Sequence, residues 1–404
     1  MPGTTRPSGR GFPEVTGLAP PGGEAWVGPG ARAGVHDGNW RWAHLYAYRG
    51  VEARSAPVTD HASDVPWVPG PRLPILPAPR QEVSALTAPA GDPLYSGEVM
   101  CRLFALRSDQ PITADFWLLD APYSLLSQSR YNADGTGLGW IDEHGAPQIA
   151  KKPVAAYASE HFGPIAPALR SCAMIAHVRL SSGTGHCDEN THPFLQDGIL
   201  SAHNGVLEVT DAMKDRVREL GAAHHVLGTT DSEWMAALLT GEVAAHGGGL
   251  RDGVVAALGW IARNVAVYSV NVLVMKGEEL IAVRLPATNE LWVLEREATP
   301  AAPREALEQS SSTLRTRSED LAGVGSVVIA SEPMDDDAAW RLMDSGELLH
   351  LAADGTVTSE RPVGPLARPL GLEDLGLSAA ASQAHAAQDQ AQQERRRRLA
   401  ERAA

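Results

Sequence analysis

The residue whose type and position most clearly indicate reactivity is Cys101, which directly follows Met100. If Met100 begins the mature product and is removed, Cys101 carries both a thiol and a free α-amine. An α-amine has a pKa of about 7.7–8.0, so a useful fraction is unprotonated at neutral pH. One residue then supplies a nucleophile and its general base, which predicts catalysis by an N-terminal cysteine. The alternative is a small buried residue near the start of a strand, the usual role of a lone cysteine.

Three later segments combine polar or reactive groups with strand-like or helical flanks. They are AHVRLSSGTGHCDENTHPF at 176–194, AHNG at 202–205 and GTTDSE at 228–233. A thiolate that attacks an amide builds a tetrahedral oxyanion, which preorganised donors must meet. Arg179 lies in a buried-strand pattern, where it would be costly without an anionic partner. That partner is either a substrate carboxylate or an aspartate of the protein.

Taken in this order, these segments resemble the glutaminase domain of the class II glutamine amidotransferases, which are N-terminal-nucleophile (Ntn) hydrolases. The chain is most similar to stand-alone bacterial members that begin with Met-Cys and carry AHVR, NTHPF, AHNG and TDSE blocks. The resemblance runs from Cys101 to about residue 360. It implies an enzyme, a cysteine Ntn amidohydrolase, and a four-layer αββα sandwich with two mostly antiparallel sheets between helical layers.

The resemblance gives three residues a role in catalysis. Cys101 is the expected nucleophile. Asn204 and Gly205 match the oxyanion-hole pair, the first through its side-chain amide and the second through its backbone N–H. Asn-Gly is also the strongest short-range hairpin signal, so the pair predicts a turn as well.

Four further residues match substrate-binding positions. Arg179 corresponds to the arginine that holds the substrate's α-carboxylate, because its planar fork binds a carboxylate through two hydrogen bonds. Asp231 corresponds to the acid that binds the α-ammonium, although an acid in the first turn of a helix is favoured by the dipole anyway. Ser182 and His192 match positions that line the glutamine pocket.

The sequence departs from the synthase members at Gly183, where they carry a histidine that helps to bind glutamine. The departure leaves the amidase chemistry in place but weakens the case for free glutamine as the substrate. The nearby run His186-Cys187-Asp188, with His192 and His203, offers metal-ligating residue types. Because its spacing fits none of the usual zinc pairs, we expect neither a metal nor a cofactor.

Composition narrows the class of protein. The chain of 404 residues carries 34 basic and 49 acidic side chains, a net charge of −15, which argues against nucleic-acid or anionic-membrane binding. Its most apolar stretch, near residues 253–275, is interrupted by polar residues and predicts no membrane span. The N-terminus lacks the apolar region of a secretory signal, and three cysteines cannot build a disulfide framework. We therefore expect a cytoplasmic protein.

Apolar periodicity predicts strands and helices in separate blocks, which favours stacked layers over regular βαβ winding. The predicted strands are 101–106, two within 138–150, 173–180, 199–207 ending in the Asn204-Gly205 turn, 267–275, 279–285, 290–296 and 326–331. The predicted helices are 211–220, 232–246 and 252–264. Thr230 and Glu233 have the spacing of a capping box for the second helix.

Three regions follow from these patterns. Residues 1–100 hold 15 of the 29 prolines and no lysine, and they predict a disordered extension or a misassigned start. Residues 101–365 form the predicted enzyme domain. Residues 366–404 are rich in Ala, Gln and Arg and predict an exposed, partly helical tail.

The predicted activity is cleavage of the γ-amide of glutamine through a γ-glutamyl thioester, releasing ammonia. One alternative is a γ-glutamyl compound hydrolase resembling the enzyme of ergothioneine biosynthesis, and another is a non-catalytic scaffold on a degenerate Ntn fold. Only about 40 residues follow the predicted domain, so ammonia as a useful product would require a separate synthase subunit. Arg outnumbers Lys by 30 to 4, which suggests a GC-rich gene and a true start at Met100.

Overall fold

The computed structural model describes residues 100–296, 307–310, 315–318 and 324–383. The predictions made for residues 1–99 and 384–404 lie outside these described residues. Within the described part of the chain, no helix combines the length and apolar character needed to cross a membrane.

The first of two large sheets has seven strands, and every neighbouring pair in it is antiparallel. In spatial order its strands are β13 (Arg341–Leu342), β9 (Trp292–Arg296), β12 (Ser326–Ala330), β1 (Arg102–Thr113), β4 (Arg170–Arg179), β2 (Gly135–Ile141) and β3 (Pro147–Lys152). The neighbouring strands β1 and β4 bring Cys101, which directly precedes β1, close to Arg179 at the end of β4, because Arg102 pairs with Val178.

The second sheet also has seven strands and is antiparallel except for one short parallel pairing at the start of β7. Its strands, in spatial order, are β15 (Val357–Glu360), β14 (Glu347–Leu351), β8 (Glu279–Leu285), β7 (Ala266–Lys276), β6 (Ile199–Leu207) and β5 (Phe194–Gln196), with β16 (Arg368–Pro369) parallel to β7. A separate two-stranded ribbon joins β10 (Leu307–Ser310) and β11 (Arg315–Ser318).

Helices cover the outer face of each sheet. The second sheet packs against the longer ones, which are α3 (Asp211–Glu219), α4 (Asp231–Ala245) and α5 (Leu250–Asn264). The first sheet packs against three short ones, a π-helical turn (Phe116–Asp120), α1 (Leu125–Gln128) and α2 (Phe162–Ile165).

The alternation of side chains along β1 explains how one strand serves two layers. Phe104 and Leu106 pack among the short helices, whereas Leu103 and Ala105 pack against the second sheet. Successive strand residues point to opposite faces, so a strand buried on both sides is apolar over most of its length. The same holds for β7, in which ten of the eleven residues are buried. The predicted αββα sandwich is confirmed.

Two local predictions differ from the structure. Asn204 and Gly205 do not form a turn, because both lie within β6 and pair with Asn271 and Val270 of β7. The start of the C-terminal tail is helical over residues 377–383, and it is not simply exposed, because Ser382 and Gln383 are buried. In both places, contacts with segments distant in sequence override the local pattern.

Candidate active site

Cys101 lies immediately before β1 and is half-buried. Its Sγ is 3.2 Å from the carbonyl oxygen of Leu180 and 3.2 Å from the backbone nitrogen of the same residue. Burial raises the pKa of the Cys101 thiol, and the hydrogen bond from Leu180 and the Arg179 guanidinium partly offset this. The thiol is therefore protonated at neutral pH, and it needs a base to become a nucleophile.

Asn204 holds the backbone of Cys101. Its fully buried side chain donates a hydrogen bond from Nδ2 to the carbonyl oxygen of Cys101, at 2.8 Å. The Sδ of Met100 lies 3.8 Å from the same nitrogen, and Met100 is itself buried. Oδ1 of Asn204 has no hydrogen-bond partner among the described residues. The side chain thus has both donors directed at the Met100–Cys101 segment and a free acceptor beside it.

Gly205 follows Asn204 at a point where no side chain fits. Its φ is 153°, and a Cβ built there would lie 1.9 Å from the carbonyl oxygen of Ser269 on β7. Any other residue would push β6 away from β7. The glycine allows the two strands to pair beside Asn204. This structural requirement explains a glycine at position 205 independently of the predicted oxyanion role.

We expect Gly205→Ala to lower the free energy of unfolding by about 2–4 kcal/mol, because the new methyl group must displace a strand. Gly221→Ala is the matched control, since Gly221 also has a positive φ (73°) but open space around it. That change is expected to cost only about 1 kcal/mol. Urea unfolding of both variants measures the difference, and equal losses would contradict the steric argument.

Arg179 ends β4 and is almost completely buried. Its guanidinium donates to the carbonyl oxygen of Gly185 (3.3 Å) and to the hydroxyls of Ser181 (3.3 Å) and Thr184. Among the described residues, no carboxylate lies within 4 Å of it, so the alternative of an internal ion pair finds no support there. A buried cation with neutral partners is available for an anionic ligand.

Asp231 is the first residue of α4, and its carboxylate bridges two elements. Oδ2 accepts from the backbone N–H of Leu207 at the end of β6 (3.0 Å), and Oδ1 accepts from the N–H of Ser232 (2.9 Å). Thr230 caps the helix, as predicted, by accepting from the N–H of Glu233. Asp231 is therefore fixed in orientation while remaining half-buried at the cavity wall.

His192 is buried, and neither ring nitrogen has a hydrogen-bond partner among the described residues. Its ring packs against the rings of His177 and Phe194, with centroids 4.3 and 4.6 Å away. Burial, reinforced by the neighbouring histidine, lowers the pKa of His192 well below its ordinary value. Its imidazole is neutral at physiological pH and offers one donor and one acceptor to a ligand.

His203 is a further cavity residue, which the sequence analysis considered only as a metal ligand. Its Nε2 lies 3.3 Å from the carbonyl oxygen of Ser269 and its Nδ1 lies 2.9 Å from the hydroxyl of Ser232. A carbonyl only accepts, so Nε2 carries the proton and Ser232 donates to Nδ1. The ring ties β6 to the first turn of α4. The sequence feature that could have identified His203 as a site residue is its position in the AHNG block.

One narrow cavity brings together six of the seven predicted site residues, and Asn204 contacts Cys101 directly. The six are Cys101, Arg179, Ser182, His192, Gly205 and Asp231. Two other lining residues, Ser382 and Gln383, come from the C-terminal tail and had no signal in the sequence. The roles assigned to these residues stay predictions.

The His186–Asp188 run is spread over separate contacts. His186 lies 3.6 Å from Asp134, and Asp188 forms an ion pair with Lys152 at 3.1 Å. In the described ranges, no group of three or more His, Cys, Asp or Glu side chains is arranged to hold a metal ion.

Comparisons with known proteins find both curated relatives and solved structures that are similar to this chain. The γ-glutamyl-hercynylcysteine sulfoxide hydrolase of Mycobacterium tuberculosis is 29% identical over 280 residues, which cover 66% of this chain and all of that protein. The enzyme of the same name from Mycolicibacterium smegmatis is 28% identical over 251 residues, covering 60% and 91% of the two chains. A glutamine aminotransferase class-II domain protein from Silicibacter pomeroyi is 17% identical, with a TM-score of 0.44, over 65% of this chain and all of that one.

The family described as class-II glutamine amidotransferases matches residues 100–365, more than half of the chain. The family match begins at Met100, next to the candidate nucleophile, and includes every predicted site residue. The resemblance inferred from the Met-Cys, AHVR, NTHPF, AHNG and TDSE blocks is confirmed: this chain belongs to the class II glutamine amidotransferases, enzymes of the Ntn type.

Proposed function

We propose that the protein hydrolyses γ-glutamyl amides, with Cys101 as nucleophile after removal of Met100. The α-amine of Cys101 takes the thiol proton as Sγ attacks the amide carbon, and the oxygen becomes an oxyanion. The amine then passes the proton to the leaving nitrogen, and the C–N bond breaks to give a γ-glutamyl thioester. Water attacks the thioester, the C–S bond breaks, and glutamate and the thiol are released.

The observation that carries this proposal is the distribution of charge around the cavity. Arg179 supplies a cation with only neutral partners among the described residues, and Asp231 supplies a fixed carboxylate. An α-amino acid carries a carboxylate and an ammonium group on one carbon, so these two side chains match its two charges. Cys101 lines the same cavity, where a γ-amide could reach its thiol.

Asn204 fits the oxyanion role because its donor is already directed at Cys101. In the chain with Met100 attached, Nδ2 is occupied by the Cys101 carbonyl and approached by the Met100 sulfur. Removal of Met100 takes away its sulfur and leaves the Cys101 carbonyl as the neighbour of Nδ2. The amide group then has a donor available to stabilise the oxyanion.

Two substrate classes follow from this chemistry. Free glutamine would yield ammonia, which a separate synthase subunit would have to accept. A γ-glutamyl compound would yield a larger amine and needs no partner. The second class is favoured by Gly183 in place of a glutamine-binding histidine, and by relatives whose name describes a γ-glutamyl hydrolase. We also keep the cytoplasm as the expected compartment.

The test is glutamate release by the Met100-start protein from glutamine and from a set of γ-glutamyl amides. Release from the γ-glutamyl amides with little from glutamine supports the hydrolase, whereas rapid release from glutamine supports the amidotransferase. Release from neither substrate class would favour the scaffold hypothesis and contradict the proposal.

Arg179→Lys and Asn204→Ala are expected to affect different kinetic parameters. Arg179→Lys should raise KM by about tenfold or more, because an ammonium point charge cannot replace the bidentate fork. Asn204→Ala should lower kcat by about 10²–10³-fold, since the oxyanion exists only in the transition state. Steady-state kinetics on the better substrate separates the two effects, and a reversed pattern would mean that the roles are misassigned.

A further inference from the structure

The C-terminal helical segment, defined as residues 377–383, forms part of the cavity wall. Ser382 and Gln383 line the cavity, with exposed fractions of 6% and 3%. The segment lies beyond residue 365, where the family match ends. This wall therefore lies outside the part of the chain that matches the family, and it borders the cavity that contains Cys101.

One end of the segment lies at Gly183. A Cβ built on Gly183 would be 3.0 Å from the Cβ of Ser378, and the φ of Gly183 is 110°. A side chain at position 183 and the helical segment therefore compete for the same space. The loop around Gly183 supplies the hydroxyls that hold Arg179, so Ser378 marks the end of the cavity where the α-carboxylate would bind.

The other end of the segment lies toward Asn204. Oε1 of Gln383 accepts a hydrogen bond from Nδ2 of Asn289 at 3.3 Å. The carbonyl oxygen of Asn289 accepts from Asn271, which is the strand partner of Asn204. Gln383 lies five helical positions after Ser378, a rise of about 7.5 Å. The segment thus runs from the α-carboxylate end toward the scissile-amide end of the cavity.

Gln383 has hydrogen-bonding capacity that the protein does not use. Asn289 fixes the orientation of its carboxamide, and no described residue accepts a hydrogen bond from its Nε2. An amide nitrogen with unused donors in the wall of a cavity favours a ligand that carries an acceptor. Because Gln383 lies at the scissile-amide end, that acceptor belongs to the group attached to the amide nitrogen.

Building on the proposed function, we propose that Gln383 is a specificity-determining residue for the leaving amine. It selects γ-glutamyl amides whose amine part carries a hydrogen-bond acceptor, such as the carboxylate of a second amino acid. The C-terminal helical segment takes the place that a side chain at position 183 would fill, and it extends the substrate site past the amide bond.

The experiment compares Gln383→Glu with wild type on three substrates: glutamine, a γ-glutamyl dipeptide and a γ-glutamyl alkylamide of similar size. Glutamate at position 383 keeps the acceptor for Asn289 but loses the donors and repels a carboxylate. We expect kcat/KM for the dipeptide to fall by tenfold or more, mainly through KM, with values for glutamine and the alkylamide within twofold. Gln383→Leu removes the donors without adding charge and should lower kcat/KM for the dipeptide about fivefold.

Ala381→Glu is the matched control, because it adds the same charge at an exposed position of the same segment. It should leave all three substrates within twofold of wild type. Equal losses on every substrate, or no loss on the dipeptide in both Gln383 variants, would overturn the inference while the proposed function stands. A wild-type protein that is inactive on all three substrates would refute the proposed function itself, and the inference with it.

Discussion

Replacing Cys101 by serine is expected to reduce amide hydrolysis by about 10³-fold or more, with the fold intact. The thiol lies between the N–H and the carbonyl of Leu180, a site that a hydroxyl can occupy without rearrangement. What the variant loses is the nucleophile, because an α-amine that can deprotonate a thiol activates a hydroxyl far less. Glutamate release measures the loss of activity. An unchanged Tm in thermal unfolding would show that this loss comes from the missing thiol and not from unfolding.

The other two cysteines provide the controls. Cys172 lies within β4, Cys187 lies in the loop that follows Arg179, and both are half-buried. Cys172→Ser and Cys187→Ser should keep wild-type rates. A glutamine-mimicking diazo-ketone should label Cys101 alone, as mass spectrometry of the digested protein would show. Labelling at Cys187 instead would overturn the assignment of the nucleophile.

The layers of the fold could be predicted because each strand and helix carries its own pattern. The mostly apolar sequence of β7 indicates a strand that is buried on both faces, and Thr230 marks the start of α4. The capping prediction is only half right, however. The carboxylate of Glu233 does not reach back to Thr230 but accepts from the N–H groups of Leu227 and Gly228. It stabilises the preceding loop instead.

The site residues were predictable from motif order, but their contacts were not. Asn204 and Gly205 predict a turn locally, and only the pairing of β6 with β7 keeps them in a strand. Gln383 lies 282 positions after Cys101 in a segment with little apolar pattern, so no local signal could bring it to the cavity. Contacts with segments distant in sequence determine both positions. A pattern within a short stretch of sequence carries no information about such contacts.

The state of Met100 decides whether the proposed site can work at all. With Met100 attached, the nitrogen of Cys101 is an amide and cannot act as a base. The side chain of Met100 is also buried beside Asn204, and its carbonyl accepts from Arg102 at 3.1 Å. The residue that must leave therefore lies against the predicted oxyanion donor. The family match begins at this residue.

We therefore expect the Met100-start protein to lose its methionine and to be active, because a small residue after the initiator methionine favours its removal. Insertion of an arginine between Met100 and Cys101 should keep the methionine and lower glutamate release by about 10³-fold or more, since Cys101 then has no free amine. Intact mass establishes the N-terminus of each protein, and the same assay gives the rates.

The full 404-residue chain provides the opposing test. If it retains residues 1–100 and still hydrolyses γ-glutamyl amides at the rate of the Met100-start protein, then the α-amine is not the base. A neutral side chain of the cavity such as His192 would then have to take the proton, although burial holds its pKa well below the usual value.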